Sequence, residues 1–430
     1  MSRLLLTTFG SLGDLHPYIA IAIEWKKRGH HATIASSEVY RTRVESEGLD
    51  FVPIRPNLAE ETVRGPLMHR VMDMKSGPEY LIRGLMLPSL RETFADIDLA
   101  CDGVDAIVGH PLLFAVPLVA RKRNIPWVYT ILAPTVFMSA HDPPVLAPVE
   151  WLGSLRRLGP RFHSVLFSLV RKRLNPWFGD VRELSRDLGM YPCQREPLGR
   201  DQFSPDLNLA LFSSAFAAPK PDWPQQTVLA GFAFYDRQTT NTGLSADLED
   251  FLSRGEPPIV FTLGSAAVMA AGEFYEQSLK ASQLLGTRAV LLVGGDKANW
   301  PKSAIPHSAH VAEYASYSTL FPRCVAVVHQ GGIGTTAQAM RAGKPMLIMP
   351  YAFDQPDNAY RVARKGLGRV IKRNRYSAAT AAAELRTLLN GEYGARSATM
   401  GRVVSMENGQ QAACCAIEEM LAGLVLGRTK

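Results

Sequence analysis

Three short segments hold most of the residues able to do chemistry. The densest is His329-Gln330-Gly331-Gly332-Ile333-Gly334-Thr335-Thr336, which follows the apolar run Val325 to Val328 and opens a helix-forming stretch. Glycines let a ligand approach the backbone, and a helix start offers unpaired N–H donors with a partial positive charge. Thr335 and Thr336 add hydroxyl donors. His329 ends a strand, where open parallel sheets bind ligands. Together these features suit a diphosphate; the plain alternative is a capped strand-to-helix turn. No Gly-x-x-x-x-Gly-Lys-Ser/Thr pattern occurs, so a kinase-type phosphate loop is not supported.

The second segment is Pro350-Tyr351-Ala352-Phe353-Asp354-Gln355-Pro356-Asp357-Asn358. It too follows a strand and precedes a helix, so Asp354 and Gln355 should face the same cleft as His329. A carboxylate beside an amide suits adjacent sugar hydroxyls: one accepts, the other both donates and accepts. Helix capping by Asp354 is the competing role. The third is Gly10-Ser11-Leu12-Gly13-Asp14-Leu15-His16-Pro17. Pro17 should pre-set the first turn of the following helix. Asp14 could cap that helix or act as a general base on a hydroxyl. His16 is the rival base, because histidine titrates near neutrality.

These segments need strands and helices to hold them, and the chain supplies two sets. Leu4 to Thr8, Ala32 to Ala35, Val104 to Val108 and Trp127 to Ile131 read as strands, with helices over Pro17 to Arg28 and Val39 to Glu47. Leu207 to Leu211 and Val228 to Ala230 close the first set. Ile259 to Leu263, ending in Gly264-Ser265, begins the second. Ala289 to Val293, Val325 to Val328 and Met346 to Met349 continue it, with helices over Thr335 to Ala342 and Pro356 to Lys365. Alternation of this kind predicts parallel sheets flanked by helices, an α/β class. The expected division is a first domain over 1–235, a linker over 236–257 with its most polar point at Thr239 to Gly243, and a second domain over 258–405. A helical tail over 406–430 is expected to pack back on the first domain.

Composition removes other classes. A chain of 430 residues is too long for one ordinary core, and 47% apolar with 20% charged residues is globular. No apolar run reaches eighteen residues; the richest stretch, Val104 to Ala120, is broken by Asp105 and His110. Neither a membrane span nor a signal peptide is expected. The five cysteines form no Cys-x-x-Cys pair, so buried thiols in a reducing cytoplasm are expected. His307 and His310 lack a third ligand and read as surface residues.

The three segments together resemble the GT-B-fold glycosyltransferases of family one. Gly-Ser-x-Gly-Asp-x-x-Pro at Gly10 to Pro17 and His-x-Gly-Gly-x-Gly-Thr at His329 to Thr335, with the later Asp354-Gln355, carry the likeness over nearly the whole chain. Ser139-Ala140-His141-Asp142-Pro143-Pro144-Val145 and Pro221-Asp222-Trp223-Pro224 are most similar to the rhamnolipid rhamnosyltransferase branch; the sterol glucosyltransferase branch is also near. The resemblance implies two Rossmann-like domains facing across a cleft. It implies Asp14 as the base, with His329 and Thr335 holding the donor diphosphate. Gly13, Ser265, Gly331, Gly332, Gly334 and Thr336 would assist them. Asp354 and Gln355 would hold donor-sugar hydroxyls, and Tyr314, followed by Ala315, would stack on the base. Gln338 stands where many relatives have a ribose-binding glutamate, which leaves UDP- and dTDP-sugars both open.

The implied reaction is inverting transfer of a sugar to an acceptor hydroxyl. No metal or other cofactor is expected, the nucleotide-sugar being a co-substrate. A nucleotide-sugar epimerase on the same fold and a non-catalytic nucleotide-sugar binder are the alternatives. The acceptor should be a small lipophilic molecule (a lipid, polyketide, sterol or phenol), met by first-domain loops. Phe114, Phe137, Met138 and His141 are its candidate contacts, with the Trp151 to Trp177 segment nearby. That region also explains the charge. Residues 151 to 200 hold ten basic and four acidic residues, +6 of the chain's +7. Without aromatic interleaving along a groove it does not suit nucleic acid. Peripheral contact with anionic lipid at the inner face of the membrane is the expectation it raises.

Overall fold

The computed structural model describes residues 1–57, 66–191, 197–236 and 243–428. Two separate parallel sheets organise the chain. The first has seven strands: β1 (Arg3–Thr7), β2 (His31–Ser36), β3 (Asp50–Pro53), β4 (Ala106–Gly109), β5 (Trp127–Ile131), β6 (Leu207–Ala210) and β7 (Thr227–Leu229). Their spatial order is β3-β2-β1-β4-β5-β6-β7. The second has six: β8 (Ile259–Thr262), β9 (Ala289–Leu292), β10 (Ala309–Ala312), β11 (Ala326–His329), β12 (Met346–Ile348) and β13 (Gly368–Val370). Their order is β10-β9-β8-β11-β12-β13.

Each central strand is buried on both faces, which is why it reads as an unbroken apolar run. Leu4, Leu5 and Leu6 are at most 1% exposed, and β4, β8, β9 and β11 are buried throughout. Each such leucine contributes about 1.5–3 kcal/mol by leaving water. The strands missing from the sequence reading, β3, β10 and β13, all lie at sheet edges. Their mixed exposure removes the apolar signal. The expected helix over Val39 to Glu47 is a short 3-10 turn, Glu38–Tyr40, followed by Arg41–Glu45.

The order of each sheet reverses once, between β1 and β4 and between β8 and β11. At such a point neighbouring connections leave in opposite directions and open a crevice beyond the strands' carboxyl ends. Gly10 to Asp14 follow β1, His110 follows β4, Gly264 and Ser265 follow β8, and His329 ends β11. All three chemical segments therefore sit on a switch point or beside one.

The tail helix Gly409–Arg428 lies against helix Leu12–Lys27 of the first sheet's layer. Ala413, Cys414 and Ile417 join Tyr18, Ile21 and Trp25 in one buried cluster. Arg28 holds Glu418 at 2.8 Å beside it. The turn into this helix passes tightly over Phe232. A Cβ on Gly409 would come within 2.5 Å of the Phe232 backbone, so only glycine fits. The expected linker contains a helix, Ala246–Ser253; its polar Thr239 to Thr242 lie outside the described residues.

Candidate active site

Asp14 is fixed by its own helix start. Helix Leu12–Lys27 begins five residues before the expected boundary, with Ser11 as its cap and Pro17 inside it rather than opening it. A capping box explains the early start: Gly13 N–H donates to Ser11 Oγ, while Asp14 Oδ2 accepts from the Ser11 N–H at 2.7 Å and its hydroxyl at 3.1 Å. Gly10 is forced by this arrangement, at φ +131°, because a Cβ there would fall 2.4 Å from Asp14 Oδ2. Capping thus uses one oxygen of the carboxylate and leaves the other free of it. Oδ1 is left for the cleft, 3.4 Å from His110 Nε2.

His110 was not among the sequence candidates. Its signal was slight, a lone histidine interrupting an apolar run where β4 ends. It is buried, and its Nδ1 accepts the Leu112 N–H at 3.2 Å. With Nδ1 taken as an acceptor, Nε2 is the nitrogen that presents a proton toward Asp14. His16 points elsewhere. Its ring packs on Tyr235, with centroids 4.9 Å apart, and its Nε2 lies 3.5 Å from Arg43 Nη1. Burial, then the Arg43 charge, lower its pKa to about 3, with Asp236 opposing. So weak a base is poorly suited to taking a proton from a hydroxyl.

The second unit presents donors. His329 is fully buried and its pKa is lowered to about 3 by burial alone, so the ring is neutral. Nδ1 accepts the Gly331 N–H at 3.0 Å, which puts the proton on Nε2. That Nε2 is buried with no partner among the described residues, a donor held ready without one. Helix Ile333–Arg341 starts beside it, capped by Gly332 without a side-chain bond. Gly331, at φ +90°, runs close to Ile348 and the Gln355 carbonyl. A Cβ on Gly264 would press on Gln330 and approach Thr335 Oγ1 to 3.4 Å, so Ser265 and Thr335 share this corner. Thr336 is corrected here. Its hydroxyl is spent on the Gly332 carbonyl at 3.0 Å, and the residue is fully buried.

Asp354 and Gln355 divide their work more sharply than expected. Gln355 Oε1 accepts the N–H groups of Tyr351 and Ala352, at 2.8 and 3.2 Å, so only its NH₂ can meet a hydroxyl. Asp354 makes no side-chain cap for helix Gln355–Arg364, which rules out the capping role. Its Oδ2 accepts from Asn358 Nδ2 at 2.7 Å, and the same nitrogen holds the Gly331 carbonyl at 2.9 Å. Burial raises the Asp354 pKa to about 7, with the charges of Asp14 and Asp357 adding and Asn358 opposing. Asp14 can act there only because the two carboxylates, from opposite units, share one cleft. A Cβ on Gly334 would lie just 3.8 Å from Gly13 Cα, so the two helix starts meet there.

The remaining candidates are spread around this centre. Tyr314 is 67% exposed after β10, with Ala315 buried behind it. Gln338 Oε1 accepts from Arg341 at 2.8 Å, and Arg341 forks onto Asp236 at 2.9 Å twice. Phe114 packs edge-on against Phe178 and lines a small pocket with His110, Pro111, Leu113, Trp127 and Tyr129. Phe137 is instead enclosed by Phe203, Phe212 and Trp223, stacked on the last at 3.9 Å, so it supports the acceptor-side loop from within. Met138 is half-buried at φ +47°, and His141 is exposed, contrary to a place inside a pocket. The one Asp-x-Asp triplet, Asp96-Ile97-Asp98, is on helix Leu90–Ala100 and paired with Arg55, Lys122 and Arg123. Among the described residues, no group of three or more His, Cys, Asp or Glu is placed to hold a metal ion.

Two Rossmann-like units whose switch points face one cleft are the GT-B architecture of glycosyltransferases. The comparisons agree. Residues 4–85 match the glycosyltransferase family 28 N-terminal domain, and residues 289–413 match the erythromycin biosynthesis protein CIII-like C-terminal domain. The chain is 32% identical to O-mycaminosyltylonolide 6-deoxyallosyltransferase of Streptomyces fradiae, over 97% of each chain. It is 26% identical to a sterol 3-beta-glucosyltransferase of Arabidopsis thaliana, over 85% of this chain and 57% of the other. The Streptomyces sp. SF2575 glycosyltransferase SsfS6, solved with thymidine diphosphate, superposes with a TM-score of 0.62 at 17% identity, over 97% of this chain and all of the other. This chain belongs to that glycosyltransferase family, with macrolide and sterol glycosyltransferases among its relatives, and is a transferase of the hexosyltransferase class.

The raised Asp354 pKa gives a signed prediction. A carboxyl whose folded pKa lies above its ordinary 3.8 favours the fold below that value and loses the advantage as pH rises through about 7. Asp354→Asn should therefore melt close to wild type at pH 4. Its melting temperature should gain progressively on wild type up to pH 8. Melting curves across that range check it, and a difference that stays flat would contradict it.

Proposed function

We propose that the enzyme transfers a sugar, with inversion, from a nucleoside diphosphate to a hydroxyl of a lipophilic natural product. The observation that carries this is the pairing across one cleft of Asp14, held by Ser11, with Asp354 and the unpartnered Nε2–H of His329. Residues 1–235 serve the acceptor and 258–405 the donor, joined by 236–257, while 406–430 returns to the first unit. Similarity to SsfS6, solved with thymidine diphosphate, and to a macrolide deoxyallosyltransferase supports a dTDP-linked donor and a macrolide-like acceptor. A UDP-linked donor is the second possibility, since Gln338 can still bond one ribose hydroxyl. Tyr314 offers an exposed ring for base stacking.

Asp14 Oδ1 takes the acceptor proton as the hydroxyl oxygen attacks the anomeric carbon. The bond from that carbon to the diphosphate oxygen breaks from the opposite face. Charge then grows on the leaving diphosphate, where His329 Nε2–H, Thr335 and the amides of helix Ile333–Arg341 receive it. A positioned base contributes about 10²–10⁴-fold. Each preorganised donor contributes about 3–4 kcal/mol, by analogy with oxyanion-hole deletions. Asp354 accepts from one sugar hydroxyl and the Gln355 NH₂ donates to the next. His110 Nε2 stands 3.4 Å from Oδ1 and helps keep the carboxylate turned to the cleft. No metal or cofactor takes part.

Incubation with dTDP- and UDP-sugars and a panel of macrolide, sterol and phenolic acceptors, in EDTA, tests the whole proposal. Glycosylated product with release of the free diphosphate is expected. An altered nucleotide-sugar without any acceptor would favour an epimerase, and binding without turnover a sensor. Abolition of activity by EDTA, restored by a divalent ion, would overturn the metal-free mechanism.

Variants separate the two residues at the base. Asp14→Asn should lower kcat about 10²–10⁴-fold with donor KM within twofold. His110→Gln should lower kcat by about tenfold, since it positions rather than accepts. Near-normal turnover by Asp14→Asn would remove it as the base.

The acceptor side carries a further proposal. Helix Gly159–Leu174 buries His163 and Phe167 but exposes Leu158, Phe162, Val165 and Leu169 along one stripe, Val165 by 62%. Arg157, Arg161, Lys172 and Arg173 flank the stripe, and no acidic residue occurs from 151 to 179. An apolar stripe rimmed by cations suits an anionic bilayer surface. Flotation with vesicles containing phosphatidylglycerol should carry the protein upward, and Val165→Glu/Leu169→Glu should abolish this. Equal flotation with neutral vesicles would contradict it.

A further inference from the structure

Four charged side chains, none of them assigned to chemistry above, close a ring where the two units meet. Asp357, on helix Gln355–Arg364, is fully buried. Its Oδ1 accepts the Val145 N–H at 2.9 Å and Arg156 Nη2 at 3.2 Å; its Oδ2 accepts Arg361 Nε at 2.7 Å. Arg361 Nη1 reaches on to Asp142 Oδ2 at 2.5 Å, and Arg156 Nη1 lies 3.6 Å from Asp142 Oδ1. The Arg156 guanidinium also covers the Tyr360 ring at 3.9 Å. Asp142, Val145 and Arg156 belong to the first unit, Asp357, Tyr360 and Arg361 to the second. Two positive and two negative side chains, none more than 12% exposed, pair here, and solvent-facing Arg364 comes within 3.9 Å of Asp142 Oδ1.

The ring has a definite place in the fold. The loop Ser139 to Val145 is tied at its other end to its own unit, where Asp222 accepts the Ser139 hydroxyl and the Ala140 N–H, each at 2.7 Å. Asp357 is three residues beyond Asp354, and its charge already acts on that carboxyl. The loop is thus strung between the acceptor-side unit and the helix that begins at Gln355. Burial alone would raise the Asp142 pKa, but Arg361, with Arg156 and Lys220, holds it below the usual range.

We propose that this ring is a positioning latch, in which Asp142, Arg156, Asp357 and Arg361 set the acceptor-side loop from the helix that bears the donor-sugar residues. It rests on the reading of Asp354 and Gln355 as donor contacts and of this loop as an acceptor wall. Buried ion pairs add little net stability, because desolvation offsets attraction, but they hold one geometry and penalise others. Such a device suits alignment better than strength. Its effect falls on acceptor binding while donor binding is left largely alone.

Kinetics on the full chain separate these effects. Asp142→Asn keeps shape and removes one charge of the ring. Acceptor KM should rise at least fivefold, while donor KM and acceptor-independent hydrolysis of the nucleotide-sugar stay within twofold. Arg361→Lys keeps the charge but loses the fork, and should shift acceptor KM in the same direction by less. Should Asp142→Asn melt below the assay temperature, Asp142→Glu keeps the charge and displaces it, and the same split is required of it. Unchanged acceptor KM, or parallel changes in both KM values, overturns the latch. Asp354→Ala is the control for the reading beneath it. A raised donor KM there, with no split in the ring variants, sinks the latch alone; an unchanged donor KM sinks both.

Discussion

Two helix amino termini meet at the centre of this enzyme, where Gly334 comes up to Gly13 with no side chain between them. The rest of the arrangement depends on that approach. Each helix brings unpaired N–H groups and a partial positive charge, and together they make a cleft that favours an anion. The approach is available because each sheet reverses its order beside its central strand, so both crevices open at strand carboxyl ends. A Cβ on Gly334 would still stand at ordinary contact distance, 3.8 Å, from Gly13 Cα, so the two starts touch without strain.

Under the proposed reaction, a cleft that favours an anion must also hold a carboxylate able to take a proton. The two oxygens of Asp14 face different partners. Oδ2 completes the capping box of helix Leu12–Lys27, and Oδ1 faces His110. Capping fixes the orientation of the free oxygen. Asp354 on the opposite wall lacks such donors beyond Asn358, and burial leaves its carboxyl near neutrality in pKa. One cleft thus contains two carboxylates with different electrostatic settings. A donor sugar placed between them would screen one from the other.

Much of this was legible from residue types alone. The apolar runs of β1, β5, β8, β9 and β11 are central strands, whose burial leaves no room for polar side chains, and the glycine turns follow them. Edge strands β3, β10 and β13 carried no such mark, because half their surface faces water. Gln355 could be recognised as a polar group at a cleft, yet its reduction to a donor depends on two backbone N–H groups from the preceding loop. His110 stayed hidden because its meaning lies in Asp14, ninety-six residues away in sequence and adjacent only through β1 and β4. Phe137 and His141 misled for the opposite reason. Neighbours in sequence, one turned into the core and the other to solvent at a loop whose direction no periodicity records.

Several connections tie the units together around the cleft. The tail helix crosses back and seals itself with Ala413, Cys414 and Ile417 on the first layer. Arg341 and Asp236 tie the second unit to the start of the linker. The ring around Asp357 ties it to the acceptor-side loop. The first of these contacts is mainly apolar, and a second apolar seam joins the units, where Val71 and Met72 share a buried cluster with Ala267, Val268 and Ala270. The contacts at Asp236 and around Asp357 are charged, and charged contacts depend steeply on distance and direction. An apolar seam by itself tolerates sliding by a fraction of an ångström at little cost. Attack on an anomeric carbon tolerates far less, since reacting atoms must be held near 3–3.5 Å and in line. Directional bridges between the units are therefore what a reaction divided across two walls requires.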